Sequence, residues 1–441
     1  MSISAFSAEL WAEEESWSRD KIESFQMQAL QSQLQRVYDR SDYYGRMFRD
    51  CGFNPADFKS FDDLRKLPLT RKQDYVAALA GARPYGPFLA VPPEDVVRVH
   101  FSSGTTGQPT PMFWTAHDLD RWADIYARFF YAQGLRRNDV LQVLFSYPWF
   151  VGGLGATAGA TRIGAMVIPG GSVDSKRQIE TIFDYGTTAV VGTPSFLAHL
   201  AEVAASMELD LRQSKVRHAG VGGEPGASIP GTRKRISDLW DMQVLDCYGL
   251  LEFQPVAWEG AAQAGMVLAE DFVFAEVLEP DTLEPVPDGK PGVLVLTHLD
   301  KCACPLVRWW TGDMVVRDRR IGPDGRTHGR LVGGIQGRAD DMLVIRGVNL
   351  FPSAVEAQIG LMDEASGEYQ IILDDTVRDA ETGFLTGIRV RMEVNGEPSR
   401  ALGDRLAARL REKLQVQVHV EPVPVGSLAR STHKAQRVVR M

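Results

Sequence analysis

Between Val99 and Trp114 the chain reads VHFSSGTTGQPTPMFW, and the six residues Ser102, Ser103, Gly104, Thr105, Thr106 and Gly107 are the ones best suited to chemistry. Four hydroxyls supply donors, and the two glycines let the backbone approach a ligand closely and adopt positive φ. Successive N–H groups in such a loop form a concavity for an anion, so the chemistry on offer is the cradling of a polyphosphate. A plain surface turn has the same composition, and residue type alone does not separate the two. The Gly-Lys-Ser/Thr ending of a Walker A loop is absent. A second cluster, Tyr147, Trp149 and Phe150 ahead of Gly152 and Gly153, has the apolar, flat character of a small aryl pocket; core packing would use the same residues.

The elements that must hold these residues follow from periodicity. Helical spacing runs from Ser18 to about Arg40, where Asp20 and Glu23 suggest a capping pair, and again from His117 to Gln133. Strand–helix alternation then continues through Val140–Phe145, a flexible turn at Gly152–Gly155, Met166–Ile168, Lys176–Tyr185, Ala189–Val191 and a helix opened by Pro194. Val216–Val221 runs into Gly222-Gly223-Glu224-Pro225, and Gln243–Asp246 into Cys247-Tyr248-Gly249. Strands that end in glycine-rich turns place an α/β site at their C-terminal ends. From Gly265 to Arg330 the pattern becomes β, read as a smaller β subdomain. Gly337–Asp341 looks like a boundary, giving a large N-terminal α/β domain over 1–339 and a small C-terminal α+β domain over 340–441.

Composition narrows the function classes. The chain has 441 residues, 44% hydrophobic and 24% charged, with a net charge of −9. There is no basic run, which argues against a nucleic-acid surface. The four cysteines include a Cys302/Cys304 pair whose CxC spacing is neither a zinc ribbon nor a redox CxxC. The acidic start MSISAFSAELWAEEESW does not read as a signal peptide, and no run of apolar residues reads as a membrane span. A cytoplasmic protein without a membrane partner is expected.

Motifs further on change the weight of the first loop. GGEP (Gly222–Pro225), YGLLE (Tyr248–Glu252), RWWTGD (Arg308–Asp313), GRADDMLVIRGVNLFPSAVE (Gly337–Glu356) and GSLARSTHKAQR (Gly426–Arg437) follow SSGTTG in order. With this order and spacing the chain resembles the adenylate-forming enzyme superfamily, and within it the phenylacetate–coenzyme A ligase family, from about Trp11 to Arg440. The resemblance implies that Ser102–Gly107 holds the β- and γ-phosphates of ATP. Gly222, Gly223, Glu224 and Pro225 would lie along the adenine and Tyr248 against its ring, with Asp246 and Gly249 beside the nucleotide. Glu252 would bind Mg²⁺, Asp313 the ribose hydroxyls, and Arg338 ribose or phosphate. Asp340 would be the hinge of a mobile C-terminal domain, Lys434 its catalytic lysine, and the Gly347 region would line the tunnel for coenzyme A. Tyr147, Trp149, Phe150 and Gly153 would form the acid pocket, with Phe150 matching the family's aryl-pocket phenylalanine.

The implied reaction activates an aromatic acid with ATP to an acyl-adenylate, then transfers it to the thiol of coenzyme A or of a carrier protein's pantetheine. Three departures stand out. Leu251 replaces the Ser or Thr of the family's YGLSE-like motif, a missing hydroxyl contact of about 1 kcal/mol. Phe253-Gln254-Pro255 replaces its glycine-rich continuation. The stretch Ile321–Arg326 has no cysteine where many relatives carry a zinc knuckle, so no structural zinc is expected. These changes point to a substituted aromatic or heteroaromatic acid rather than plain phenylacetate. A regulator that has lost catalysis is the competing class, opposed by the presence of Lys434, Asp313 and Glu252. A homodimer is expected only at the level of the family.

Overall fold

The first long helix forms as Arg19–Arg40 in the computed structural model, which describes residues 10–102, 109–339, 343–345, 348–379, 384–428 and 437–440. Its start is set by Ser18, whose hydroxyl accepts the Lys21 N–H at 3.3 Å, rather than by Asp20 and Glu23. Any β-region residue with a short oxygen-bearing side chain does this job, and Ser18 precedes the pair.

Five parallel strands build the α/β body in the spatial order Met166–Ile168, Val140–Val143, Ala189–Gly192, His218–Val221, Gln243–Leu250. Ala189–Gly192 and His218–Val221 are buried along their whole length, as strands covered by helices on both faces must be. One face packs on a layer that includes Phe129, Ala156 and Ala160. The other packs on Ile179, Leu197, Leu200 and Trp240. The β region anticipated after Gly265 is present and continues the same twelve-stranded sheet edge to edge. Gln254–Trp258 turns back antiparallel on Gln243–Leu250, and Met266–Leu268, Arg330–Leu331, Trp309–Asp318, Pro291–His298 and Val273–Leu278 follow.

Two local expectations are corrected. Gly152–Gly155 is not a flexible turn but the first part of a helix, Val151–Ile163. Its glycines serve close packing: a Cβ on Gly155 would fall 2.7 Å from the Trp122 ring, and one on Gly159 would fall 2.6 Å from the Tyr126 backbone, both on the buried helix Ala116–Ala132. The strand begun at Gln243 does not end at Asp246 but runs to Leu250, so Tyr248 and Gly249 lie on a strand and Glu252 in the hairpin turn beyond it.

The Ala116–Ala132 helix also carries Arg128 inward. Its guanidinium donates to both oxygens of Asp271 at 2.9 and 2.8 Å, and each residue is only 2% exposed. Removing one partner of such a pair strands a buried charge, so Arg128→Ala is expected to lower stability by about 3–5 kcal/mol, measured by chemical denaturation.

Beyond residue 342 the chain makes a separate core around Leu343, Val355, Tyr369, Val390 and Leu410. Its four-stranded sheet has the order Gln417–Pro424, Gly387–Val394, Ala365–Leu373, Val438–Arg440. Helices Pro352–Ile359 and Arg400–Leu414 accompany it.

Candidate active site

The strands on either side of the Ser/Thr/Gly stretch, Arg98–Phe101 and Pro111–Trp114, pair antiparallel. Ser102 is the one loop residue among those described: its N–H donates to the Thr110 carbonyl at 3.0 Å, and its hydroxyl accepts the Thr110 N–H at 3.3 Å. Ser103, Gly104, Thr105, Thr106 and Gly107 lie outside the described residues, as do Asp340, Gly347 and Lys434.

At the C-terminal ends of the parallel strands a cavity of about 520 Å³ opens between the α/β body and the C-terminal sheet. Its walls include Gly223, Glu224, Pro225, Asp246, Tyr248, Gly249, Asp313 and Arg338. Residues far apart in sequence therefore share one cavity. Gly222 lies just behind, where a Cβ would be 2.7 Å from the Cys247 carbonyl oxygen.

The wall around Asp313 is held by hydrogen bonds. The Tyr248 hydroxyl donates to Asp313 Oδ2 at 2.5 Å, and Arg338 Nη1 donates to Oδ1 at 3.2 Å. Burial and the Asp313 charge push the Tyr248 phenol well above its ordinary range. Asp313 and Arg338 sit opposite each other on paired strands. Gly312 makes room for this, since it has φ +78° and a Cβ there would lie 2.6 Å from the Arg338 guanidinium. Tyr248 is thus both a flat wall and a hydrogen-bond donor, the second role being one that ring chemistry alone did not announce.

Glu224 accepts the Ser195 N–H at 2.7 Å, at the start of the helix Pro194–Ser206. Burial pushes its carboxyl up, and this hydrogen bond pulls against the shift. Asp246 accepts the Ser228 N–H at 2.8 Å and also the Ser228 hydroxyl. Burial pushes its carboxyl up to about 6; Ser228 pulls it down, and neighbouring Glu259 pushes it further up. Between the ordinary value of 3.8 and about 6, the folded state holds a proton that the unfolded state has released. Its contribution to stability therefore falls as pH rises through that window. Asp246→Asn is expected to be more stabilising relative to the parent at pH 7.5 than at pH 5, read as the difference in Tm at about those pH values.

Glu252, set in the hairpin turn, is 6% exposed rather than a solvated surface carboxylate. Burial pushes its carboxyl up, and Lys72, whose ammonium is 3.9 Å away, pulls it down. Glu252 does not line the 520 Å³ cavity; as a hard carboxylate oxygen it has the donor chemistry of a Mg²⁺ ligand.

The aromatic candidates divide. The Tyr147 hydroxyl pairs with Thr157 Oγ1 at 2.8 Å, Thr157 donates to the Gly153 carbonyl at 2.9 Å, and a Cβ on Gly153 would lie 3.2 Å from the Tyr147 ring. Phe150 caps the helix that carries Gly153. Trp149 stands apart, 60% exposed with φ +67°, and its carbonyl accepts the Phe101 N–H at 3.0 Å. This cluster borders the hairpin of Arg98–Phe101 and Pro111–Trp114, not the 520 Å³ cavity.

Sequence reasoning missed the C-terminal wall of that cavity. Arg437 donates to Glu368 at 2.8 Å and lies 4.6 Å from the Tyr369 ring centroid, while Tyr369 donates to Glu356 at 3.2 Å. The one signal available was the nearness of Arg437 to Lys434.

The AMP-binding enzyme family model matches residues 44–298, and the AMP-binding enzyme C-terminal domain matches residues 347–440. The chain belongs to the AMP-binding enzyme family. It is 35% identical over 435 residues to a phenylacetate-coenzyme A ligase of Pseudomonas putida, covering 96% of this chain and 95% of that protein. A phenylacetate-coenzyme A ligase of Escherichia coli (strain K12) is 36% identical over 436 residues, with 96% of each chain covered. Crystal structures of a 2-hydroxyisobutyryl-CoA ligase share 30% identity and cover 100% of this chain and 94% of that one. The TM-score is 0.92 for its postadenylation state with 2-HIB-AMP and 0.74 for its thioesterification state with 2-HIB-AMP and CoA. No helix among the described residues is long and apolar enough to cross a membrane.

Proposed function

We propose that this chain is an AMP-forming acid–coenzyme A ligase acting on an aromatic carboxylic acid. The observation that carries this reading is the convergence of Tyr248, Asp313 and Arg338 on one cavity wall, in a chain related over nearly its full length to phenylacetate-coenzyme A ligases. In the first half-reaction the acid's carboxylate attacks the α-phosphorus of ATP; the acyl–AMP anhydride forms and pyrophosphate leaves. In the second, the thiolate of coenzyme A attacks the acyl carbon; a thioester forms and AMP leaves. Activation is needed because a free carboxylate has no adequate leaving group.

Each residue has work suited to its chemistry. Asp313, an acceptor, takes the ribose hydroxyls, with Arg338 beside it. Tyr248 and Glu224–Pro225 flank the base. Glu252 would hold Mg²⁺, which supplies charge neutralisation at the phosphates. Lys434 places positive charge where negative charge builds during transfer. Tyr147, Phe150 and Gly153 form the acid pocket, whose Tyr147–Thr157 hydroxyl pair offers a polar contact to a substituted ring. The chain divides at 339/340, with Asp340 as the hinge. Its setting is the cytoplasm, where ATP and coenzyme A are found, and it works as a homodimer.

The test is pyrophosphate exchange across a panel of aromatic and heteroaromatic acids, followed by coenzyme A and detection of the thioester by mass. Exchange with an aryl acid and a CoA thioester are expected. Exchange without a CoA thioester would transfer the second step to a carrier protein, and no exchange with any acid would leave a nucleotide-binding regulator.

A further inference from the structure

At the far end of the cavity two glycines from the two parts of the chain meet backbone to backbone. Gly231 belongs to the first turn of the helix Pro230–Trp240, which covers the α/β sheet, and Gly360 ends the helix Pro352–Ile359 of the C-terminal part. A Cβ on Gly231 would fall 2.5 Å from the Gly360 carbonyl carbon and 2.6 Å from its Cα and oxygen. A Cβ on Gly360 would fall 3.0 Å from Gly231 Cα. Neither position needs glycine for its own conformation: Gly231 is helical and Gly360 has φ −62°. Glycine in a helix costs roughly 0.5–1 kcal/mol relative to alanine, so Gly231 gains nothing locally, and Gly360, in right-handed geometry at the helix end, does not use glycine's access to positive φ. The reason lies across the interface. Nearby, Gly367 has φ +95°, and a Cβ there would overlap the Arg235 guanidinium of the same covering helix.

A chain of contacts ties this seat to Arg437. Glu356, one turn before Gly360, accepts the Tyr369 hydroxyl at 3.2 Å. The Tyr369 ring lies under the Arg437 guanidinium, and the Arg437 carbonyl accepts the Ile371 N–H at 2.7 Å. Arg437 follows Lys434 by three residues in the sequence. The arrangement of the two parts matches the postadenylation state of the related 2-hydroxyisobutyryl-CoA ligase far better than its thioesterification state.

We infer that Gly231 and Gly360 are positioning residues for the adenylation half-reaction: their side-chain-free contact sets how closely the C-terminal part approaches the cavity wall of Tyr248, Asp313 and Arg338. This rests on the ligase reading above. A side chain at either position holds the two parts apart in this arrangement, whereas an arrangement that separates the glycines is indifferent to it. The effect should follow the geometry, larger for Gly231→Ala than for Gly360→Ala. Displacing a catalytic group by an ångström costs up to about 10²-fold in rate.

The experiment measures the two half-reactions separately in the full-length enzyme: pyrophosphate exchange for the first, and CoA-dependent consumption of supplied acyl-adenylate for the second. Gly231→Ala is expected to lower exchange by about 10–100-fold and Gly360→Ala by less, with the second half-reaction and the Tm of both variants kept. Exchange unchanged in Gly231→Ala, or a parallel fall in both half-reactions of the milder Gly360→Ala, overturns the inference. A parent enzyme that exchanges with no acid overturns the ligase reading itself, and the inference with it; a parent that exchanges while the variants do not differ overturns the inference alone.

Discussion

Lys434→Ala is expected to lower acid-dependent pyrophosphate exchange by about 10²–10³-fold, the usual consequence of removing one preorganised charge from a phosphoryl or acyl transfer site. The loss should fall on kcat, with little change in KM for ATP or acid, because the proposed role of the lysine is to meet charge that develops only in the transition state. Thioester formation from supplied acyl-adenylate should be nearly intact, since that step expels AMP and builds its charge on the acyl oxygen. Single-turnover measurements of each half-reaction would decide. An equal fall in both would mean that Lys434 supports the fold or both steps, and would remove it from the role of adenylation lysine. Lys434→Arg is a useful companion: it keeps the charge but exchanges a compact ammonium for a broad planar fork, and should recover only part of the rate.

Asp313→Ala should show the opposite kinetic split. Asp313 organises its wall in the folded protein, accepting from Tyr248 on one oxygen and from Arg338 on the other. In the proposed complex it also accepts from the ribose, a contact equal in ground and transition states. Its removal deletes a charge-assisted hydrogen bond of roughly 1.5–3 kcal/mol. KM for ATP should therefore rise by about 10–100-fold, with a smaller change in kcat. The variant also leaves the Tyr248 hydroxyl and the Arg338 guanidinium without this acceptor, so some loss of Tm accompanies it. Asp313→Asn separates the two effects: one amide oxygen can still accept, and its neighbour can no longer serve Arg338. An unchanged KM for ATP in both variants, with Tm lowered, would reduce Asp313 to a structural role.

The contrast between these two variants reflects how the site is assembled. Asp313, Tyr248 and Arg338 are set by strand pairing within one sheet, where Asp313 faces Arg338 across a ladder. They form one hydrogen-bonded wall, which the proposed function uses for uniform binding. Lys434 belongs to the C-terminal part, whose approach depends on contacts such as Gly231 with Gly360. In the proposed function, binding and catalysis thus fall to different parts of the chain.

Much of this was legible in the residues. The parallel strands at Val140, Met166, Ala189 and His218 were readable as short apolar runs between helices because burial on both faces demands such runs. The cavity residues Gly223, Glu224, Asp246, Tyr248 and Asp313 were readable because they fall in short motifs at the ends of strands, where an α/β sheet places its cavity. The sequence by itself therefore determined the family, the α/β body and which side chains were available for the chemistry. It did not determine the role of glycines. Gly152–Gly155 reads locally as a turn but is helical, because the missing side chains let two helices touch at Trp122 and Tyr126. Gly231 and Gly360 carry no local signal at all. Nor did it show that Glu252 is buried, that Tyr248 donates to Asp313, or that Arg437, Tyr369 and Glu356 close the cavity from the other side. Such facts belong to tertiary structure for one physical reason: periodicity and propensity report a residue's relation to its near neighbours along the chain, whereas close approach, burial of charge and pairing across a sheet are fixed by groups hundreds of residues away.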